Sequence, residues 1–149
     1  MVNGYVLDTC LVSETGKPNP DERVHDWLRR LPAHQMWTSV IVFGELQAGI
    51  CLLEEGARRR SLVAWLARQR AAFGDRCLSI DEPTARAWGD VHTSRQRAGR
   101  SLPVADGLIA ATAIVRGLAI ATRNVDDFRD TGAQVVNPWM DDVAVKECP

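Results

Sequence analysis

The sequence predicts an α/β fold, a three-layer sandwich in which a central, mainly parallel sheet is flanked by helices. Three observations carry that prediction. Short aliphatic runs, too brief to be helices, stop at polar residues. Longer stretches with apolar residues at helical spacing lie between them. The two kinds alternate along the chain, which is how parallel strands joined by helical crossovers read. At 149 residues, 46% hydrophobic and 25% charged, the chain has the size of one compact domain around a single core. We place that domain at residues 1–140 and treat 141–149 as a C-terminal tail.

Residues 4–8 form the first strand, apolar until it ends at Asp8. Lys17-Pro18-Asn19-Pro20 is a loop. Asp21 is placed to cap a helix reaching Leu31, with Val24, Trp27, Leu28 and Leu31 as its apolar stripe and Pro32 beyond its end. Trp37-Thr38-Ser39 is a brief strand passing into a helix capped by Thr38 or Ser39; Val42, Phe43, Leu46, Ile50 and Leu53 share one side, and Glu45 lies beside them. The next helix, residues 57–73, is expected to bury Leu62, Val63, Leu66 and Phe73 while Arg58, Arg59, Arg60, Arg68 and Arg70 decorate its surface; Gly74 ends it. A strand at 77–80, a helix at 82–97 and a polar loop at 98–101 follow. Asp106 opens a helix whose residues are apolar on almost every side as far as Val115, which implies burial. Gly117 stops it, and 118–122 and 134–137 supply the last strands.

No apolar run approaches the roughly 20 residues that a bilayer span requires, and the N-terminus lacks the pattern of a secretory signal, so a cytoplasmic protein is expected. Cys10, Cys51, Cys77 and Cys148 are dispersed without Cys-x-x-Cys spacing and read as free thiols. His25, His34 and His92 form no pair at metal-binding spacing. Any metal must therefore be held by oxygen. The net charge of -1 does not mark a nucleic-acid binder, yet Lys17 and Lys146 are the only lysines among 18 basic residues. Arginine, whose planar fork suits phosphate, supplies the rest. The densest clusters are the helix carrying Arg58 to Arg70 and the segment with Arg95, Arg97 and Arg100 ahead of Asp106, and the second is the favoured phosphate grip.

The acids carry the chemistry. In open parallel sheets, ligands bind where strand C-termini meet the following helices. Asp8 and the segment from Asn124 to Asp127 follow strands, Asp106 opens a buried helix, and Glu45 projects from the first turns of another. Three or four carboxyl groups can thus share one cleft, where mutual repulsion favours a bound divalent cation. Magnesium suits an all-oxygen site, manganese can replace it, and a metal-bound water can attack a phosphodiester in line. Taken singly, Asp8 and Asp106 read equally well as helix caps, Glu45 as a solvated residue, and Asp126, Asp127 and Asp130 as a polar loop.

Two other acidic strand-end folds fail on particular residues. A haloacid-dehalogenase-like phosphatase needs a second Asp two residues after the first, where Cys10 stands. A phosphoryl-accepting receiver domain needs a lysine late in the sheet, whereas Lys146 lies in the tail.

From Val6 to Trp139 the chain resembles the PIN domains, particularly the VapC and FitB-like branch. The residues that carry the resemblance are Leu7-Asp8-Thr9, then Gly44-Glu45-Leu46-Gln47-Ala48-Gly49-Ile50, then Leu102-Pro103-Val104-Ala105-Asp106-Gly107-Leu108-Ile109-Ala110-Ala111-Thr112-Ala113, continuing through Gly117-Leu118 to Ala121-Thr122-Arg123-Asn124-Val125-Asp126-Asp127-Phe128, and finally Val136-Asn137-Pro138-Trp139. The third block is the most specific. The resemblance implies a PIN-like sandwich and a magnesium-dependent endoribonuclease serving as the toxin of a toxin–antitoxin pair. It further implies an RNA substrate, an antitoxin partner and a homodimer. Asp8, Glu45 and Asp106 match the family's acids and are the implied metal ligands. Many relatives carry an acid where Asn124 stands; Asn124 can orient water, and Asp127 can supply the missing charge. Cys10 and Gln47 are further departures. The competing reading is a PIN-like module that binds RNA or a partner protein without cutting.

Overall fold

The computed structural model describes residues 2–140. The expected tail, with Lys146 and Cys148, lies outside the described residues. The strands are β1 (Tyr5–Leu7), β2 (Met36–Ser39), β3 (Cys77–Leu78), β4 (Ala119–Ala121) and β5 (Val135–Val136), and they form one sheet in the order β3-β2-β1-β4-β5. Every neighbouring pair is parallel. β1 and β4 lie inside the sheet and all three residues of each are buried, which is why both read as unbroken apolar runs rather than alternating ones. Strands expected at 77–80, 118–122 and 134–137 are each shorter, because the chain leaves the ladder for the next turn within a residue or two of its first pairs.

Six helices cover the sheet among the described residues: α1 (Thr9–Thr15), α2 (Glu22–Arg30), α3 (Val40–Cys51), α4 (Ala57–Phe73), α5 (Glu82–Arg97) and α6 (Val104–Arg116). Their starts follow side-chain chemistry. Asp21 accepts from the amides of Arg23 and Val24, Ser39 from Ile41, and Asp81 from Thr84, each satisfying an amide that the first turn leaves without a partner. Ser39 rather than Thr38 is the cap of α3; the fully buried Thr38 instead donates its hydroxyl to the Leu7 carbonyl at 3.0 Å, tying β2 to β1. Gly117, at φ 64°, ends α6 in the left-handed region that only glycine adopts without strain.

Two expectations need correction. Val63 is 50% exposed. The stripe of α4 that meets the core is Leu62, Trp65, Leu66 and Phe73, and at 3.6 residues per turn Val63 points about 100° away from Leu62. Asp106 does not begin α6. It is the third residue of a helix that starts at Val104, with Pro103 at the capping position and no side-chain cap.

The core joins Val6, Leu11, Val12, Val24, Trp27, Val42, Ile109, Ala110 and Ile120, each at most 2% exposed. Trp27 meets Tyr5 edge to face, ring centroids 5.0 Å apart, bringing α2 against β1. Strand succession places the site. The chain moves outward from β1 to β2 to β3, then returns to lay β4 on the other side of β1. The C-terminal ends of β1 and β4 therefore flank the point where strand order reverses, the usual place for a ligand crevice in such sheets.

Candidate active site

Asp8 follows β1 directly, and its amide donates to the Ala121 carbonyl at 3.0 Å. Its carboxylate is buried, 5% exposed. One oxygen, Oδ1, accepts from the Thr9 amide at 2.8 Å at the start of α1. The other, Oδ2, accepts from the Thr122 hydroxyl at 2.7 Å, with the Cys10 thiol 3.7 Å away. Thr122 is completely buried and in turn accepts from the Asn124 amide at 3.0 Å. Asp8 is thus both a helix cap and a member of a site, and the two roles are compatible because each carboxylate oxygen can accept more than one bond. Burial of the Cys10 thiol pushes its pKa up, against the hydrogen bonds from Thr122 and from the Arg123 amide.

The other acids approach from three elements. Glu45, exposed on α3, accepts from the Thr9 hydroxyl at 2.7 Å, so the residue beside Asp8 also orients Glu45. Asp106 lies in the first turn of α6, where the adjacent Gly107 allows close packing: a Cβ there would sit 2.9 Å from the Trp88 indole of α5. Asp127 is exposed in the 3-10 turn Val125–Phe128 that follows β4. The Asp106 pKa is pushed up to about 6, first by burial and then by the negative charges of Asp8, Glu45 and Asp127. The structure therefore brings four of the five sequence-selected residues into one electrostatic neighbourhood. The fifth, Asn124, is exposed at the mouth, its amide tied to Thr122. Asp126 is 86% exposed at its side chain and pairs with Arg129 at 2.7 Å, outside the group.

A cluster of uncompensated carboxylates is a setting for a hard cation, and an all-oxygen donor set matches magnesium rather than zinc or copper. Among the described residues, no three His, Cys, Asp or Glu side chains come together as a group that could hold a metal ion. Magnesium does not require one, since it is commonly held by one or two carboxylates and keeps several waters. Asp8 and Asp106 are the buried or half-buried acids suited to direct ligation, with Glu45 reaching in from α3.

The arginines are arranged differently from the expectation. Arg95 is 7% exposed and donates to the Arg129 carbonyl, and Arg100 is paired with Asp130. Of the favoured phosphate grip, Arg95 is therefore engaged inside the protein and Arg100 in a surface ion pair, leaving Arg97 exposed on the last turn of α5. The basic residue at the crevice is Arg123. Its amide donates to the Cys10 sulfur at 3.4 Å, and its guanidinium lies over the Trp139 ring at 5.0 Å. The available signal was positional: Arg123 follows the end of β4, beside the strand that ends at Asp8.

Comparison with known proteins identifies relatives of the fold. The PIN-domain family profile matches residues 5–134. The toxin FitB of Neisseria gonorrhoeae is 36% identical over 137 residues, covering 91% of this chain and 99% of its own length. A VapC ribonuclease of Sinorhizobium fredii is 33% identical over 135 residues, 90% of this chain and 96% of the relative. The crystal structure of FitAcB from Neisseria gonorrhoeae superposes with a TM-score of 0.84 at 35% identity, covering 91% of this chain and 99% of that one.

Proposed function

The chain belongs to the PIN-domain family, and from that premise we propose that it is a magnesium-dependent endoribonuclease acting as the toxin of a toxin–antitoxin pair. The observation that carries the reading is the position of Asp106, half-buried at the sheet's C-terminal crevice with the charges of Asp8, Glu45 and Asp127 turned on it. When bound, magnesium, or manganese in its place, supplies an acidified water and a charge that steadies in-line displacement at phosphorus. The chain's own residues hold the geometry. Asp8 is immobilised by the Thr9 amide and the Thr122 hydroxyl, and Glu45 is turned by the Thr9 hydroxyl. Asp106, its pKa raised by burial and by its acidic neighbours, is the carboxylate whose charge a bound cation would most relieve. Asn124 orients water at the mouth and Asp127 adds the charge that Asn124 lacks.

The names of the relatives, a toxin and a ribonuclease, support RNA as substrate and an antitoxin as partner. We extend the reading to a homodimer working in the cytoplasm; among the described residues, no helix is long and apolar enough to cross a membrane. The non-cleaving alternative is favoured by one observation, the uncharged amide of Asn124 at a position where the family resemblance implies an acid. Expression in a bacterium separates them. The ribonuclease reading predicts growth arrest, relief on co-expression of the antitoxin from the neighbouring gene, and RNA cleavage by the purified chain that stops in EDTA. Normal growth with abundant soluble protein and intact RNA would favour the binding module.

A further inference from the structure

An acidic crevice repels a polyanion, and a metal offsets only part of that repulsion, so a separate cation must hold the RNA beside the acids. Of the expected grip, Arg95 is buried and Arg100 is ion-paired at the surface, which leaves Arg97 as its exposed member without an ion pair among the described residues. We propose that Arg123, stacked on Trp139, grips an RNA phosphate at the edge of the crevice; the proposal rests on the ribonuclease reading above.

Five observations converge on it. Arg123 leaves β4 next to Asp8: its amide bonds Cys10 Sγ, itself 3.7 Å from Asp8 Oδ2. Its side chain is exposed and takes part in no ion pair among the described residues. An unsupported arginine so close to carboxylates would be expected to fold onto them. Here the Trp139 face holds it, and the stack leaves the edge N–H groups free for an anion. The platform is fixed as well. The Trp139 amide donates to Asn137 Oδ1 at 3.0 Å, its carbonyl accepts from Arg23 at 3.1 Å, and its ring is in the core. Finally, Glu14, which feels the Arg123 charge, is already engaged by Lys17 at 2.6 Å and by the Asp21 amide at 2.9 Å. The guanidinium is thus preorganised rather than recruited, and its planar fork suits a phosphodiester oxygen pair.

The test is binding of a labelled single-stranded RNA in calcium across a salt series, for the wild type, Arg123→Ala and Arg123→Lys, followed by KM and kcat in magnesium. The exposed position makes both variants compatible with the fold. Arg123→Ala should weaken binding, flatten the log–log salt slope by about 0.7 and raise KM several-fold with little change in kcat. Arg123→Lys should recover the slope, since the charge remains, but not the full affinity, since the fork is lost. A folded Arg123→Ala protein with wild-type slope and KM would overturn the proposal, as would one that keeps RNA binding and loses only capture by the antitoxin. If the wild type cuts nothing in magnesium or manganese while the slope still drops in Arg123→Ala, the ribonuclease reading falls and the phosphate grip stands. Cleavage equal in both proteins at every RNA concentration removes the grip alone.

Discussion

Replacing Asp106 by asparagine should make the metal-free protein more stable while removing its response to metal. Burial and the charges of Asp8, Glu45 and Asp127 raise the Asp106 pKa from 3.8 to about 6, so the folded state holds this proton more tightly than the unfolded chain does. Between those two values the folded state carries more bound protons, and stability must fall as pH rises through the window and level off above it. Taken whole, the gap would correspond to roughly 3 kcal/mol at neutral pH, an upper bound because solvent reaches this half-buried carboxyl and screens it. An asparagine side chain keeps the shape and never ionises, but its amide also loses some water, so about 1–2 kcal/mol of that cost should be recovered. For a domain of this size, that is roughly 2–8 °C in melting temperature. Thermal or urea denaturation in EDTA, from pH 4 to 8, measures it. The wild type should lose stability from pH 4 to 7 by more than Asp106→Asn does. Magnesium at ten times its dissociation constant should then return about 1.4 kcal/mol to the wild type and nothing to the variant. A variant less stable than the wild type at pH 7.5 in EDTA, or one equally stabilised by magnesium, would refute the reasoning.

Thr122→Val keeps the side-chain shape but removes the hydroxyl between Asp8 Oδ2 and the Asn124 amide; urea denaturation should show a loss of about 2–3 kcal/mol, as a buried charged acceptor loses its donor. Gly107→Ala places a methyl 2.9 Å from Trp88, so α5 and α6 must separate or the indole must shift. It should cost about 1–3 kcal/mol by the same assay and reduce cleavage through the neighbouring Asp106. Asn124→Asp adds a carboxylate at the mouth and should tighten magnesium binding by calorimetry; weaker binding with the fold intact would remove Asn124 from the site.

The fold was legible because its signals are local. The cap at Asp21, the glycine at position 117 and the unbroken apolar run of α6 each fix an element without reference to the rest of the chain. α1 was harder, since it begins at Thr9 directly after β1, without a loop, and residues 9–12 have no strong helical preference. Val63 was misplaced because hydrophobicity alone does not distinguish a core-facing position from one a hundred degrees away when the stripe is broad. The acids Asp8, Glu45 and Asp106 were found because strand ends and helix starts meet on one side of a parallel sheet. What the sequence did not reveal were pairings across long separations. The Arg100–Asp130 pair, the Arg95 bond to the Arg129 carbonyl and the stacking of Arg123 on Trp139 join residues distant in the chain. Arginines that look alike in sequence thus have different partners, and only the three-dimensional arrangement shows which remain available.

Under the proposed function, Asp8, Glu45 and Asp106, with the added charge of Asp127, hold a divalent metal. Manganese binding followed by electron paramagnetic resonance tests it without RNA, through loss of the free aquo-ion signal as protein is added. The account predicts that the wild type depletes the signal, that magnesium restores it by competition, and that Asp8→Asn and Asp106→Asn each leave it nearly undiminished. A wild-type protein that leaves the free signal intact at millimolar concentration, or folded variants that bind as tightly as the wild type, would contradict it.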